Sequence, residues 1–388
     1  TLLNNQKKEN TMYFKTYFSN KATEKDAVEE VYSQLKNDDI KLLIFFSSNI
    51  YEFKVISDIF QELSKGDFEV IGCTSSGEIA LNSGITKGGI SAIAMGDNSM
   101  EIKTVAIESI DKVPLFSRKT IIEKLGELGY KESQESYKNL NGLLLIDGLS
   151  GAEEKVLSVV NSVFDGKLDL IGGSAGDYLK FEKTLISLNG KVLNKGAVFT
   201  LIKSNVDTKL YKENIFISQN IFMNITKANE KERKIIEIDN KPARLRYAEL
   251  LGISPSQIEN ATLKNPIGRK IGDSIYISSI AGIEGDTLNM YAQVFENTKV
   301  EILKAQSALD IQKQTINQIN SDFKEIYGIF CINCILRFLQ FEAEGNLQEL
   351  SKGLKSIGEY GGFVSYGEQF NKQHLNQTLT MLVFGRKK

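Results

Sequence analysis

The chain holds a single histidine, no tryptophan and only three cysteines among 388 residues. One histidine, His374, leaves a Ser-His-Asp or Cys-His site a single imidazole to use, and no G-x-S-x-G elbow is present. Catalysis therefore has little support. The cysteines, Cys73, Cys331 and Cys334, are odd in number and sparse, which suits a reducing compartment better than a disulfide scaffold. Net charge is almost absent: 47 Lys and Arg face 49 Asp and Glu, which excludes a dedicated nucleic-acid surface. No apolar run approaches about 20 residues, so no spanning helix is expected. No charged-then-apolar leader opens the sequence, and a cytoplasmic location is expected. Residues 1–24 read as a flexible extension, with Met12 a candidate natural start.

What is present is a large, patterned interior. Hydrophobic residues make up 41% of the chain, enough for a packed core, and the length exceeds one typical core. Ile40–Ser47 is a short continuous apolar run, the pattern of a buried strand. Apolar residues from Phe53 to Leu63 recur at helical spacing, and Gly66 stops that helix. A second strand then runs into the turn Gly72-Cys-Thr-Ser-Ser-Gly-Glu78.

The same phrase returns about 100 residues later. Gly142–Ile146 reads as a strand, Val156–Phe164 as a helix and Leu168–Ile171 as a strand, followed by the turn Gly172–Asp177. Asn189-Gly190, flanked by Thr184–Leu188 and Lys191–Leu193, is a hairpin signal. Ile71 and Ile171 stand in register, which reads as an internal duplication. A third copy spans about 327 to 385: a strand Tyr327–Arg337, a helix over Leu347, Leu350 and Leu354, the turn Gly361–Glu368 and the strand Gln377–Phe384. The intervening stretch carries strand patterns at Ile215–Ile225, Ile235–Ile238, Asp273–Ile283 and Asp286–Gln293, and a helix at Ala243–Leu251. The expected fold is mixed α/β, built from repeated strand–helix–strand–turn–hairpin units with sheets covered by helices. A domain division is expected near residue 229, separating 25–228 from 229–388.

These motifs resemble the FIST family. Ile71–Glu78 and Ile171–Asp177 resemble its N-terminal region; Ile238–Ala243, Tyr247–Gly252, Asn265–Gly268, Tyr276–Ile280, Cys334–Arg337, Gly362–Glu368 and His374–Thr378 resemble its C-terminal region. The resemblance covers roughly residues 25 to 385. It implies a bacterial intracellular sensor that binds a small ligand, such as an amino acid, and signals to a histidine kinase, a cyclic-di-nucleotide enzyme or a chemoreceptor. No output domain accompanies the match, so signalling is expected in trans. Some members resemble haem-binding nitric oxide sensors, and a haem here would have His374 as its one available imidazole. The chain departs from many relatives in carrying Ser278–Ser279 where a basic residue is common.

Glycine lets a backbone approach a ligand, and free N–H groups in such turns form anion nests. The three turns therefore suggest one ligand floor, with Thr74, Ser174, Gly362 and Ser365 in it and the carboxylates Glu78, Asp177 and Glu368 closing it. The alternative is that tight turns need glycine and that the acids cap backbone N–H groups. Arg337 binding a ligand carboxylate while Glu368 holds its amine would make an amino-acid site; the alternative is a structural ion pair from Arg337 to Glu368 or Asp177. Cys331-Ile-Asn-Cys334 is a CxxC, but residues three apart on a strand point to opposite faces, which opposes shared metal ligation. Cys334 or Cys73 as a nucleophile is the remaining enzyme reading.

Overall fold

The structure, a computed structural model, describes residues 11–271 and 274–388. The first unit comprises β1 (Tyr13–Ser19), α1 (Glu24–Leu35), β2 (Leu42–Ser47), α2 (Phe53–Ser64), β3 (Glu69–Thr74), the hairpin β4 (Glu78–Ala80) and β5 (Gly84–Thr86), and β6 (Ile90–Gly96). The second repeats it: β7 (Glu101–Ile107), α3 (Ser117–Glu127), β8 (Leu140–Ile146), α4 (Glu153–Phe164), β9 (Asp169–Ser174), β10 (Ile186–Leu188), β11 (Lys191–Leu193) and β12 (Ala197–Lys203). The third opens with β13 (Asp207–Glu213) and is then interrupted. The interruption is β14 (Phe216–Asn229), β15 (Lys234–Ile238), β16 (Lys241–Pro242), α5 (Ala243–Leu251), α6 (Ile258–Ala261), β17 (Ile267–Ile271), β18 (Ser274–Ser278), β19 (Ile280–Glu284), β20 (Thr287–Met290) and β21 (Thr298–Ala305). The third unit resumes as α7 (Ala308–Asp322), β22 (Phe323–Cys334), α8 (Ile335–Ala343), α9 (Leu347–Lys355), β23 (Tyr360–Ser365), β24 (Glu368–Phe370), β25 (Gln373–Leu375) and β26 (Leu379–Lys387).

Each unit makes a four-stranded sheet, and each sheet is completed by a hairpin from another unit. β3 receives β10–β11, β9 receives β24–β25 and β23 receives β4–β5, giving three six-stranded sheets in a closed cycle. Neither face of the central strands β2 and β8 meets water. Leu42, Ile44 and Phe46 of β2 enter a central apolar cluster, while Leu43 and Phe45 pack under the first unit's helices. Leu143 and Leu145 of β8, and Phe330 and Ile332 of β22, enter the same central cluster; their neighbours face outward helices. Burial on both sides is why these strands read as unbroken apolar runs. Phe46 stacks on Phe363 with centroids 4.6 Å apart, so the first and third units meet ring on ring at the centre.

Local signals explain the outer layer. Thr23 caps α1 by accepting from the Asp26 N–H, and Ala27, Val28, Val31 and Leu35 form its buried stripe. Asn189 and Gly190 both take positive φ, as the two-residue hairpin between β10 and β11 requires.

Some expectations need correction. Tyr13–Ser19, within the stretch read as flexible, is β1 and pairs along its length with β6. Thr1–Asn10 lie outside the described residues. Arg337 does not end a strand: β22 stops at Cys334, and Arg337 lies in the first turn of α8. Residue 229 is the last residue of β14, in the sheet that β15 to β21 complete. No helix among the described residues is long and apolar enough to cross a membrane.

Candidate functional site

The three turns meet on the axis of the cycle. Gly176 N–H donates to the Thr74 carbonyl, Tyr366 N–H to Ser174 and Ser76 N–H to Val364, at 3.1, 3.0 and 2.9 Å. The acceptors hold equivalent positions at the ends of β3, β9 and β23, and each donor lies two residues beyond its own unit's acceptor. The turns thus satisfy one another's backbone groups, as burial demands. A side chain at Gly176 would put its Cβ 2.1 Å from Ser76 Oγ, and one at Gly362, where φ is +152°, 1.7 Å from the Cys331 carbonyl. Glycine here serves chain-to-chain approach. Thr74, Ser174 and Ser365, at the ends of β3, β9 and β23, are all buried, whereas Gly362 lies further back in β23, paired with Ile79.

Two of the three acids are equivalent and one is not. Glu78 and Glu368 open the swapped hairpins at matching register, Glu78 opposite Phe363 and Glu368 opposite Gly173. Ser75 Oγ lies 2.6 Å from Glu78 Oε1, and Gly89 N–H donates to Oε2. Ser365 Oγ lies 2.7 Å from Glu368 Oε1, and Thr378 donates both N–H and Oγ–H to Oε2. Each acid therefore ties the start of its hairpin to the residue before its unit's last strand. Both are fully buried, and desolvation pushes each carboxyl up to about 8 against its hydrogen bonds. In the second unit the matching position is Ile186, opposite Cys73. There Asp147, from the end of β8, joins Thr184 to the Lys195 N–H instead.

Asp177 has a different task. It accepts from the N–H groups of Phe181, Glu182 and Lys183 and from the Tyr366 hydroxyl. Burial alone would raise it; the Tyr366 hydroxyl and those three N–H groups outweigh this and hold the carboxyl below its ordinary range. It organises residues 175–185, a longer segment than its counterparts, in which Tyr178, Leu179 and Phe181 all take positive φ. Non-glycine residues in that region store strain that the surroundings must hold.

That segment forms one wall of a cleft at the carboxyl ends of β2 and β3, where open α/β sheets bind ligands. The cleft holds about 580 Å³, its open mouth included. Asn49, Tyr51 and Glu52 line one side, Lys180, Glu182 and Lys183 the other, with Thr74 and Asp177 at its base. Asn49 Nδ2 donates to the Asp177 carbonyl at 2.5 Å, bracing the two walls. The side chains of Glu52, Lys180, Glu182 and Lys183 are exposed, and none is paired among the described residues.

The other predicted residues lie away from this cleft. Arg337 is 2% exposed and pairs with Glu213 of β13, not with Glu368 or Asp177. Its guanidinium also stands 4.6 Å from the centre of the Phe341 ring. Cys334 is buried beside Glu368, and burial pushes the thiols of Cys73, Cys331 and Cys334 upward, so none is a poised thiolate. No metal-holding group of His, Cys, Asp and Glu occurs among the described residues. His374 Nδ1 lies 3.2 Å from Gln369 Nε2, and its ring packs against Gly367, where a Cβ would fall 2.9 Å from Nε2.

Asn49, Tyr51, Lys180 and Lys183 were not picked out from sequence, because loop residues follow no period. The one signal was that the second turn does not reach its hairpin at Thr184–Leu188 directly.

Comparison with solved structures gives a cyanuric acid hydrolase (TM-score 0.34, 8% identity, 97% of this chain and 100% of that chain covered). It also gives PurLQS from Thermotoga maritima (TM-score 0.21, 11% identity, 97% and 72% covered). Neither likeness is close enough to carry an argument. The comparison with curated proteins returns no match. The FIST N domain matches residues 41–241 and the FIST C domain residues 243–371. The chain belongs to the FIST family, whose domains are small-ligand sensory domains of signal transduction.

Proposed function

We propose that the protein senses a small zwitterion, such as an amino acid, in the cleft between the β2–α2 loop and residues 177–185. The observation that carries this reading is the charge pattern of the cleft: two lysines and two glutamates, all unpaired, around one polar mouth. Lys180 and Lys183 would take the ligand carboxylate, and Glu52 or Glu182 its ammonium, by charge-assisted hydrogen bonds. The amino-acid site expected at Arg337 and Glu368 is thereby moved, since Arg337 already has a buried partner.

The wall of the cleft also suits a transmitter. Phe181 stacks on Tyr366 of the third turn at 5.3 Å, and Tyr178 meets Phe338 of α8 edge-on. Lys87 bridges Tyr178 to Glu342 at the end of α8. A ligand that draws Lys180 and Lys183 inward would pull on this strained segment and so on α8. The reading is that the changed surface acts in trans on a signalling partner, a histidine kinase, a cyclic-di-nucleotide enzyme or a chemoreceptor. A thermal-shift and calorimetry screen of the amino acids tests it. Stabilisation by at least one, lost in Lys180→Gln/Lys183→Gln, is expected; no stabilisation by any would end the zwitterion reading.

A further inference from the structure

We infer that the inserted sheet carries a second, separate site, for a small carboxylic acid with an apolar body, held by Arg269. The observation is a funnel of about 300 Å³, mouth included, within the curled face of the β14–β21 sheet. Its floor is Ile225, Ile235, Ile267, Met290 and Val300, each buried. Arg269 of β17 lines it, with Gln293 and Ser278 as further polar groups, and no acidic side chain does.

Arg269 is partly buried, and its side chain makes no hydrogen bond or ion pair among the described residues. Most other partly or fully buried arginines meet an acid: Arg337 has Glu213, Arg246 has Asp239 and Glu249, Arg233 has Glu153 and Glu154, Arg118 has Glu132 and Arg386 has Glu325, while Arg244 donates to the Gly285 and Pro255 carbonyls. A guanidinium is a planar fork matched to carboxylate, and a half-buried one with no counter-ion among the described residues is suited to a ligand carboxylate. An apolar recess with a few convergent polar groups is the general form of a small-molecule site. The ligand class is therefore a monocarboxylate with a short aliphatic or aromatic body: carboxylate on Arg269, body on the isoleucines and Met290. Such a ligand needs no ammonium, which separates this site from the charged cleft of the first unit.

The test uses the full chain with hexanoate, phenylacetate and the uncharged phenylacetamide. Calorimetry measures affinity, and the Met290 methyl resonance reports occupancy of the floor. One or both acids should bind saturably and shift that methyl, phenylacetamide should bind at least about tenfold more weakly than phenylacetate, and Arg269→Gln should weaken the acids by about tenfold with unchanged thermal unfolding. Lys180→Gln/Lys183→Gln should leave this binding intact, so failure here is distinguishable from failure of the cleft. The inference is overturned when neither acid moves the Met290 methyl, when the amide binds as well as the acid, or when Arg269→Gln binds like the wild type.

Discussion

The first and third turns and the second turn share a sequence phrase and do opposite work. In the first and third, a buried glutamate closes a short turn and is held neutral by desolvation. In the second, an aspartate is held ionised by a hydroxyl and three N–H groups and opens a longer segment. The equivalent pair is part of the frame; the unequal member borders a cleft lined by charges of both signs. Departure from a repeat is thus the better guide to function than the repeat.

The contrast has a sign that pH exposes, and this is the largest expected effect. Glu78 and Glu368 rise from an ordinary 4.5 to about 8 on folding, so the folded state keeps protons that the unfolded state loses. Their contribution is full below about pH 4.5 and is lost as pH rises towards about 8, at up to about 1.4 kcal/mol per pH unit for each acid. Urea midpoints should fall over that window, and Glu78→Gln with Glu368→Gln should flatten the fall. Asp177 runs the other way. Its carboxyl is lowered on folding, so its contribution is present above pH 3.8 and is lost as pH falls. In the Gln variant, the remaining pH dependence near that end should shrink on Asp177→Asn.

The buried ion pair comes next. Glu213 and Arg337 belong to the third unit alone, and removing one partner strands the other in the interior. Glu213→Ala should cost about 3–5 kcal/mol in denaturant unfolding, whereas replacing both by apolar residues of similar size should cost far less. A smaller effect is expected at Asp177→Ala, about 2–3 kcal/mol, from three N–H groups left without their acceptor. Amide exchange at Phe181–Lys183 should quicken there, while the amides flanking Glu78 stay protected.

Much of this frame was legible. The apolar runs, the helix stripes and the 100-residue register announced three related units, because strands buried on both faces leave an unmistakable pattern. The hairpins at Glu78–Thr86 and Glu368–Leu375 were not, since three-residue strands carry no period. Their exchange between units was invisible for a stronger reason: pairing partners far apart in the chain leave no local mark. Arg337 was placed on the wrong element because Ile335, Leu336 and Phe338 extend the apolar run of β22 into α8. Its partner, Glu213, lies 124 positions away in a polar stretch, where no spacing rule points to it. Asp177 looked like Glu78 because both follow a glycine and small residues; only pairing register shows that Ile186 holds the equivalent place.

The proposed sensor site is the cleft beside Asp177. The direct measurement is titration calorimetry of the amino acids on the wild-type chain and on Lys180→Gln/Lys183→Gln, with Arg269→Gln as a control. The account predicts saturable one-site binding of at least one amino acid, weakened about tenfold or more by the lysine pair and untouched by Arg269→Gln. Binding that ignores both lysines, or no binding of any amino acid, would contradict it.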